Sequence, residues 1–83
     1  MATRIDVISL FRKNNIRPTK FKYGGRTHRV EKILYNWVTR EGSFPVHHFT
    51  IVTRDDNRYE LALNTYTMEW TIEDVELDAK AGG

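Results

Sequence analysis

The chain has no cysteine, which rules out a disulfide framework, a thiolate metal site and a cysteine nucleophile. Stability in 83 residues must therefore come from packing one small core. No apolar run approaches the roughly 18 residues of a membrane-spanning helix. The segment Met1–Arg12 interrupts its apolar stretch with Arg4 and Asp6, unlike a secretory signal. Serine occurs only as Ser9 and Ser43, neither in a nucleophile-elbow setting. No Gly-Lys-Ser/Thr string is present to cradle a phosphate. Adjacent His47 and His48 would point to opposite faces of a strand, a poor start for a metal site. Asp55 and Asp56 read as turn residues. These absences predict a non-enzymatic protein without metal or cofactor, cytoplasmic and not membrane-bound. They also predict one domain over residues 1–77, followed by a flexible tail over 78–83.

Charge is abundant, and it is divided. Residues 1–40 hold ten basic residues against two acids (Asp6 and Glu31), a net +8, while residues 41–83 hold three basic residues against nine acids, a net −6. The formal +2 of the whole chain hides this split. Such an asymmetry belongs either to a polar binding surface or to two halves that neutralise each other.

Hydrophobic residues recur mostly with period 2, the signature of strands. With Asp55-Asp56-Asn57 as a three-residue loop, Phe49, Ile51 and Thr53 share a face with Tyr59, Leu61 and Leu63, and Asn57 takes the left-handed position. With Thr65-Tyr66 as a two-residue turn, Leu63 faces Met68 and Leu61 faces Trp70. Both registers bury the same residues, predicting a three-stranded meander over about 46–72, with Glu60, Ala62, Glu69 and Thr71 facing out.

Upstream, Gly24-Gly25 suits a primed hairpin turn. It sets Phe21 opposite His28 and Tyr23 opposite Arg26 on one face, with Lys20 opposite Arg29 and Lys22 opposite Thr27 on the other. Pro18 is expected at that strand's start, where a missing N–H is tolerated. The strand after Arg26 runs long, and its phase slips between Val30 and Ile33. A bulge at Glu31-Lys32 would bend it and turn Ile33, Tyr35 and Trp37 into the core. Residues 4–12 fit a capped helix or a strand; β-branched Ile5, Val7 and Ile8 and the needs of a barrel favour the strand. Glu73–Leu77 could form one helical turn, with Val75 and Leu77 plugging a barrel end. The expected fold is all-β: a five- or six-stranded, mainly antiparallel small barrel or rolled meander of SH3-like or OB-like size, with a short helical turn near the C-terminus.

The string Pro18-x-x-Phe21-x-Tyr23-x-Gly25-Arg26-x-His28-x-Val30-x-x-Ile33-Leu34-x-x-Trp37, followed by Tyr59-Glu60-Leu61 and Trp70, resembles the pattern of a family of small bacterial all-β proteins of unknown function. Tyr23 and His28 stand where that pattern has Trp and Tyr. The resemblance covers residues 16–75 and consists mostly of core and turn residues. It implies the fold and no activity.

One surface feature asks for a function. Lys20 facing Arg29, with Lys22 beside them, places like charges across a strand pair, which destabilises a sheet. Either acids such as Glu31, Glu60 or Glu69 neutralise this face, or an anion does. A phosphate backbone would suit it, with Tyr23 and Arg26 at the hairpin tip stacking or clamping. The sequence therefore predicts a small binding module contacting DNA or RNA through Lys20, Lys22, Arg29, Arg26 and Tyr23. The alternative is a protein partner docking on an exposed barrel edge near residues 4–12, oriented by the charge split. His28, beside Phe21, is expected to be a half-buried, hydrogen-bonded residue.

Overall fold

A computed structural model of the chain describes residues 2–13 and 15–77; the expected flexible tail, 78–83, lies outside the described residues. Six strands, β1 (Thr3–Arg12), β2 (Asn15–Tyr23), β3 (Arg26–Glu41), β4 (Phe44–Thr53), β5 (Arg58–Asn64) and β6 (Glu69–Glu76), run antiparallel in chain order. They close into a barrel when β6 pairs with β1. There is no helix among the described residues, and none long and apolar enough to cross a membrane. Residues 4–12 are strand, as β-branched residues prefer. The expected turn at Glu73–Leu77 is instead a continuation of β6. A bulge between Glu60 and Leu61 in the β5–β6 register sets Val75 against the core and leaves Leu77 exposed.

Phe21, Phe49, Ile51, Tyr59, Leu61, Leu63, Trp70 and Ile72 form the core. The meander residues are those expected, but both of its registers are displaced by two. Ile51 pairs with Tyr59 and Phe49 with Leu61, because the first loop is Arg54-Asp55-Asp56, closed by Thr53 N–H donating to the Asn57 carbonyl at 2.9 Å. Asp56, not Asn57, takes the left-handed conformation, at φ 65°. The second turn holds four residues, Thr65–Met68. The Asn64 side-chain oxygen accepts from the Tyr66 and Thr67 amides at 2.8 and 3.2 Å, while the Met68 amide donates to the Asn64 carbonyl at 2.7 Å. Leu63 therefore pairs with Trp70 and Leu61 with Ile72, and Met68 is exposed. Ala62, expected to face out, is buried. A slip of two preserves the buried face, so hydrophobic patterning could not detect it.

The Gly24-Gly25 hairpin has the expected register, Lys20–Arg29 through Tyr23–Arg26. Both glycines lie in the left-handed region, at φ 63° and 76°, as a primed turn requires. A Cβ at either would meet no atom within 4 Å, so an alanine there costs backbone strain alone. We expect Gly24→Ala/Gly25→Ala to lose about 2 kcal/mol, read as a lower urea midpoint at unchanged slope.

Two features differ from the sequence reading and set the surface. First, Pro18 lies within β2 rather than at its start. Its missing N–H is accommodated by a bulge at Thr19, because the register passes from Ile8–Lys20 directly to Ser9–Pro18. The Thr19 hydroxyl donates to the Ile8 carbonyl at 2.8 Å. Second, β3 slips twice against β4, between Val30 and Lys32 as expected and again between Ile33 and Tyr35. The second slip, at Leu34, reverses the phase. Tyr35 now pairs with Thr50 and Trp37 with His48, while the inward Ile51 and Phe49 face Ile33 and Asn36. Tyr35 (67 % exposed) and Trp37 (39 %) are therefore on the outside of the barrel, not in the core.

Candidate anion-binding face

Side chains alternate across a strand, and paired residues share a face. Lys20 and Arg29 are cross-strand partners, and Lys22 is paired with Thr27 next to them; all three lie on the outer face. Across β1 the same face continues as Asp6 opposite Lys22, Ile8 opposite Lys20, Leu10 opposite Arg17 and Arg12 opposite Asn15. Arg12 and Arg17 are strand residues that extend the basic stripe. Along β3, the first bulge puts Lys32 outward as well, paired with Val52.

The acids that could have neutralised this stripe are bound elsewhere. Glu31 pairs with Arg54 at 3.8 Å, Glu69 with Arg4 at 3.2 Å, and Glu60 lies 3.8 Å from His48. Glu76 pairs with Arg58. None of Lys20, Lys22 and Arg29 forms an ion pair among the described residues, and Asp6 forms none with Lys22. In a closed ring of six strands β5 lies across the barrel from β2. On β5 and β6 the like-charge pair is acidic, Glu60 opposite Asp74. The split along the chain thus becomes two opposed faces.

The two remaining predicted site residues are not on this face. Tyr23 is half-buried and packed on the core, its ring 6.0 Å from that of Tyr59 and 6.4 Å from that of His28. Arg26, its partner across the hairpin, shares that inner phase at the barrel end. Burial raises the pKa of the nearby Tyr59 phenol, and the Arg26 charge opposes that shift without outweighing it. His28 stacks on Phe21 at 5.2 Å, and its Nε2 lies 3.1 Å from the Tyr23 carbonyl, a structural role. His47 and His48 sit on opposite faces as expected, and no metal-ligand cluster occurs among the described residues.

The sequence reading missed Arg12, Arg17, Lys32 and Tyr35 as members of this surface. A proline inside a strand pattern, and the adjacent apolar pair Ile33-Leu34, were the signals of the bulges that align them.

Above the four pairs that join them, β2 and β3 diverge. The cleft between them is lined by Ile16, Arg17, Lys32, Ile33, Asn36 and Phe49, among others. Tyr35 and Trp37 occupy the next outward positions on β3. The Trp37 ring lies flat on His48, 5.0 Å between centroids at 4°. The His48 Nε2 is held 2.7 Å from the Thr39 hydroxyl. Tyr35 makes no ring contact or side-chain hydrogen bond among the described residues.

Comparison with protein-family models, curated proteins and solved structures found no match.

Proposed function

We propose that the protein is a small binding module that takes a polyanion, nucleic acid in the first place, on the outer face of β1–β3. The observation that carries this reading is the cross-strand pair Lys20–Arg29, which forms no ion pair with an acid among the described residues. Like charges held opposite each other weaken the sheet, and a phosphate between them reverses the sign of that contribution. Arg17, Lys22 and Lys32 extend the cationic stripe to either side, so an extended polymer fits it better than a single small anion.

The test is fluorescence anisotropy of a short labelled single strand and the matching duplex, titrated between about 20 and 200 mM salt. Binding is expected at low salt, with a log–log salt slope near −2, from about three phosphate contacts on a single strand. Lys20→Glu/Arg29→Glu is expected to abolish it. No binding of either probe at the lowest salt would overturn the reading.

A protein partner is the second reading, favoured by one observation. Asp6–Arg12 pair with β2 on one side, while β6 reaches only Thr3–Ile5 on the other. This leaves a free edge beside exposed Ile8, Leu10 and Phe11, to which a strand could be added. Such a complex would persist at high salt, whereas the polyanion complex would not.

A further inference from the structure

We infer that the polyanion is single-stranded nucleic acid, and that Tyr35 is the side chain on which a base stacks; this rests on the reading of the basic face proposed above. The juxtaposition that carries it is built by the two slips of β3. With the first slip alone, Tyr35 and Trp37 would share the inward phase of Ile33. With both, Arg29, Lys32, Tyr35 and Trp37 fall at successive outward positions of one strand, about 6.6 Å apart along the chain. Bulges re-aim side chains, and they concentrate where a surface has work to do. Here the second bulge moves two aromatic rings out of a small core and sets them in line with the basic stripe.

The rings differ in readiness. His48 covers one face of Trp37 and fixes it to the sheet. Tyr35 is two-thirds exposed, with no partner for its ring among the described residues. An exposed aromatic next to unpaired cations has the two elements of a sequence-tolerant single-strand site, a charged track for the backbone and a platform for a base. In a duplex the base faces are stacked inside and unavailable to Tyr35, so it could contribute little there. Lys20, Lys22 and Arg29 would hold the phosphates, while Lys32 stands between them and the ring.

The experiment compares the full chain with Tyr35→Ala and Tyr35→Phe against four probes. These are an unstructured thymine single strand, the same length of strand lacking its bases, a duplex, and inorganic polyphosphate. The wild type is expected to prefer the thymine strand to the other three. Tyr35→Ala should weaken that strand alone, by about five- to a hundredfold, with an unchanged salt slope, and Tyr35→Phe should restore it. Since the ring is exposed, both variants should keep the wild-type thermal midpoint, so a lost affinity cannot be ascribed to unfolding. Equal affinity for single strand and duplex, or a Tyr35→Ala variant that binds the thymine strand as the wild type does, would overturn the inference while leaving the basic face intact. If none of the four probes binds at low salt, the reading of that face fails as well.

Discussion

Replacing Phe21 by alanine is expected to cost more stability than any other single truncation in β2. The ring is 2 % exposed, edge-on to Tyr59 at 5.0 Å and stacked on His28 at 5.2 Å. Truncating a buried phenylalanine loses its transfer free energy and leaves a cavity, together about 3–5 kcal/mol. Position adds to the cost. Only the pairs Lys20–Arg29 to Tyr23–Arg26 join β2 to β3, and Phe21 is the side chain that anchors this seam to the core. Small domains are stable by about 5–15 kcal/mol in total, and one of this size loses about 4–8 °C per kcal/mol. A fall in midpoint of at least about 12 °C should be seen by circular dichroism. Phe21→Leu, which keeps most of the volume, should lose much less. A Phe21→Ala midpoint within about 3 °C of wild type would show that the seam is held by something else.

Lys20→Glu is expected to move stability and binding in opposite directions. A glutamate opposite Arg29 turns a repulsive cross-strand pair into an attractive one, a gain of about 0.2–1 kcal/mol. The same change removes one cation from the proposed contact face and adds an anion to it. Affinity for a single strand at low salt should fall roughly tenfold or more, with a shallower salt slope. A residue retained only for the fold could not give that combination, because a substitution that improves the sheet would carry no loss. The result that counts against the proposal is a more stable variant with unaltered affinity. In that outcome the paired cations would be a solvated face without a ligand. Arg29→Glu should behave in the same way, whereas Arg26→Glu should change binding little, since Arg26 shares the inner phase with Tyr23.

Much of the barrel was legible because it follows from alternation. Phe49, Ile51, Tyr59, Leu61 and Leu63 have a period of 2, and only one face can bury them. The Gly24-Gly25 turn was legible because left-handed backbone at two consecutive positions favours glycine. What lay outside that logic was anything equivalent under a shift of two. The meander loops took Asp56 and Met68 as their left-handed residues, choices made by loop hydrogen bonds rather than by burial. The candidate site was legible only in part. Lys20, Lys22 and Arg29 were located by the hairpin register. Tyr23 was misplaced because a tip residue looks exposed until the Tyr59 ring is set against it.

The sequence by itself determined that this is an all-β chain with a single aromatic-rich core, and that one hairpin carries cations opposite each other. Local propensity, period and turn chemistry suffice for that. Only the tertiary structure decided where the acids went and where the aromatics of β3 point. Closing six strands into a ring carries β5 across from β2, so the cations of β2 and the acids of β5 are held apart, while Arg4 meets Glu69 where β1 joins β6. Each bulge inserted to bend a strand around that ring also reverses its faces, which is how Tyr35 leaves the core for the basic surface. Neither result can be counted from a pattern, because both depend on how the strands close.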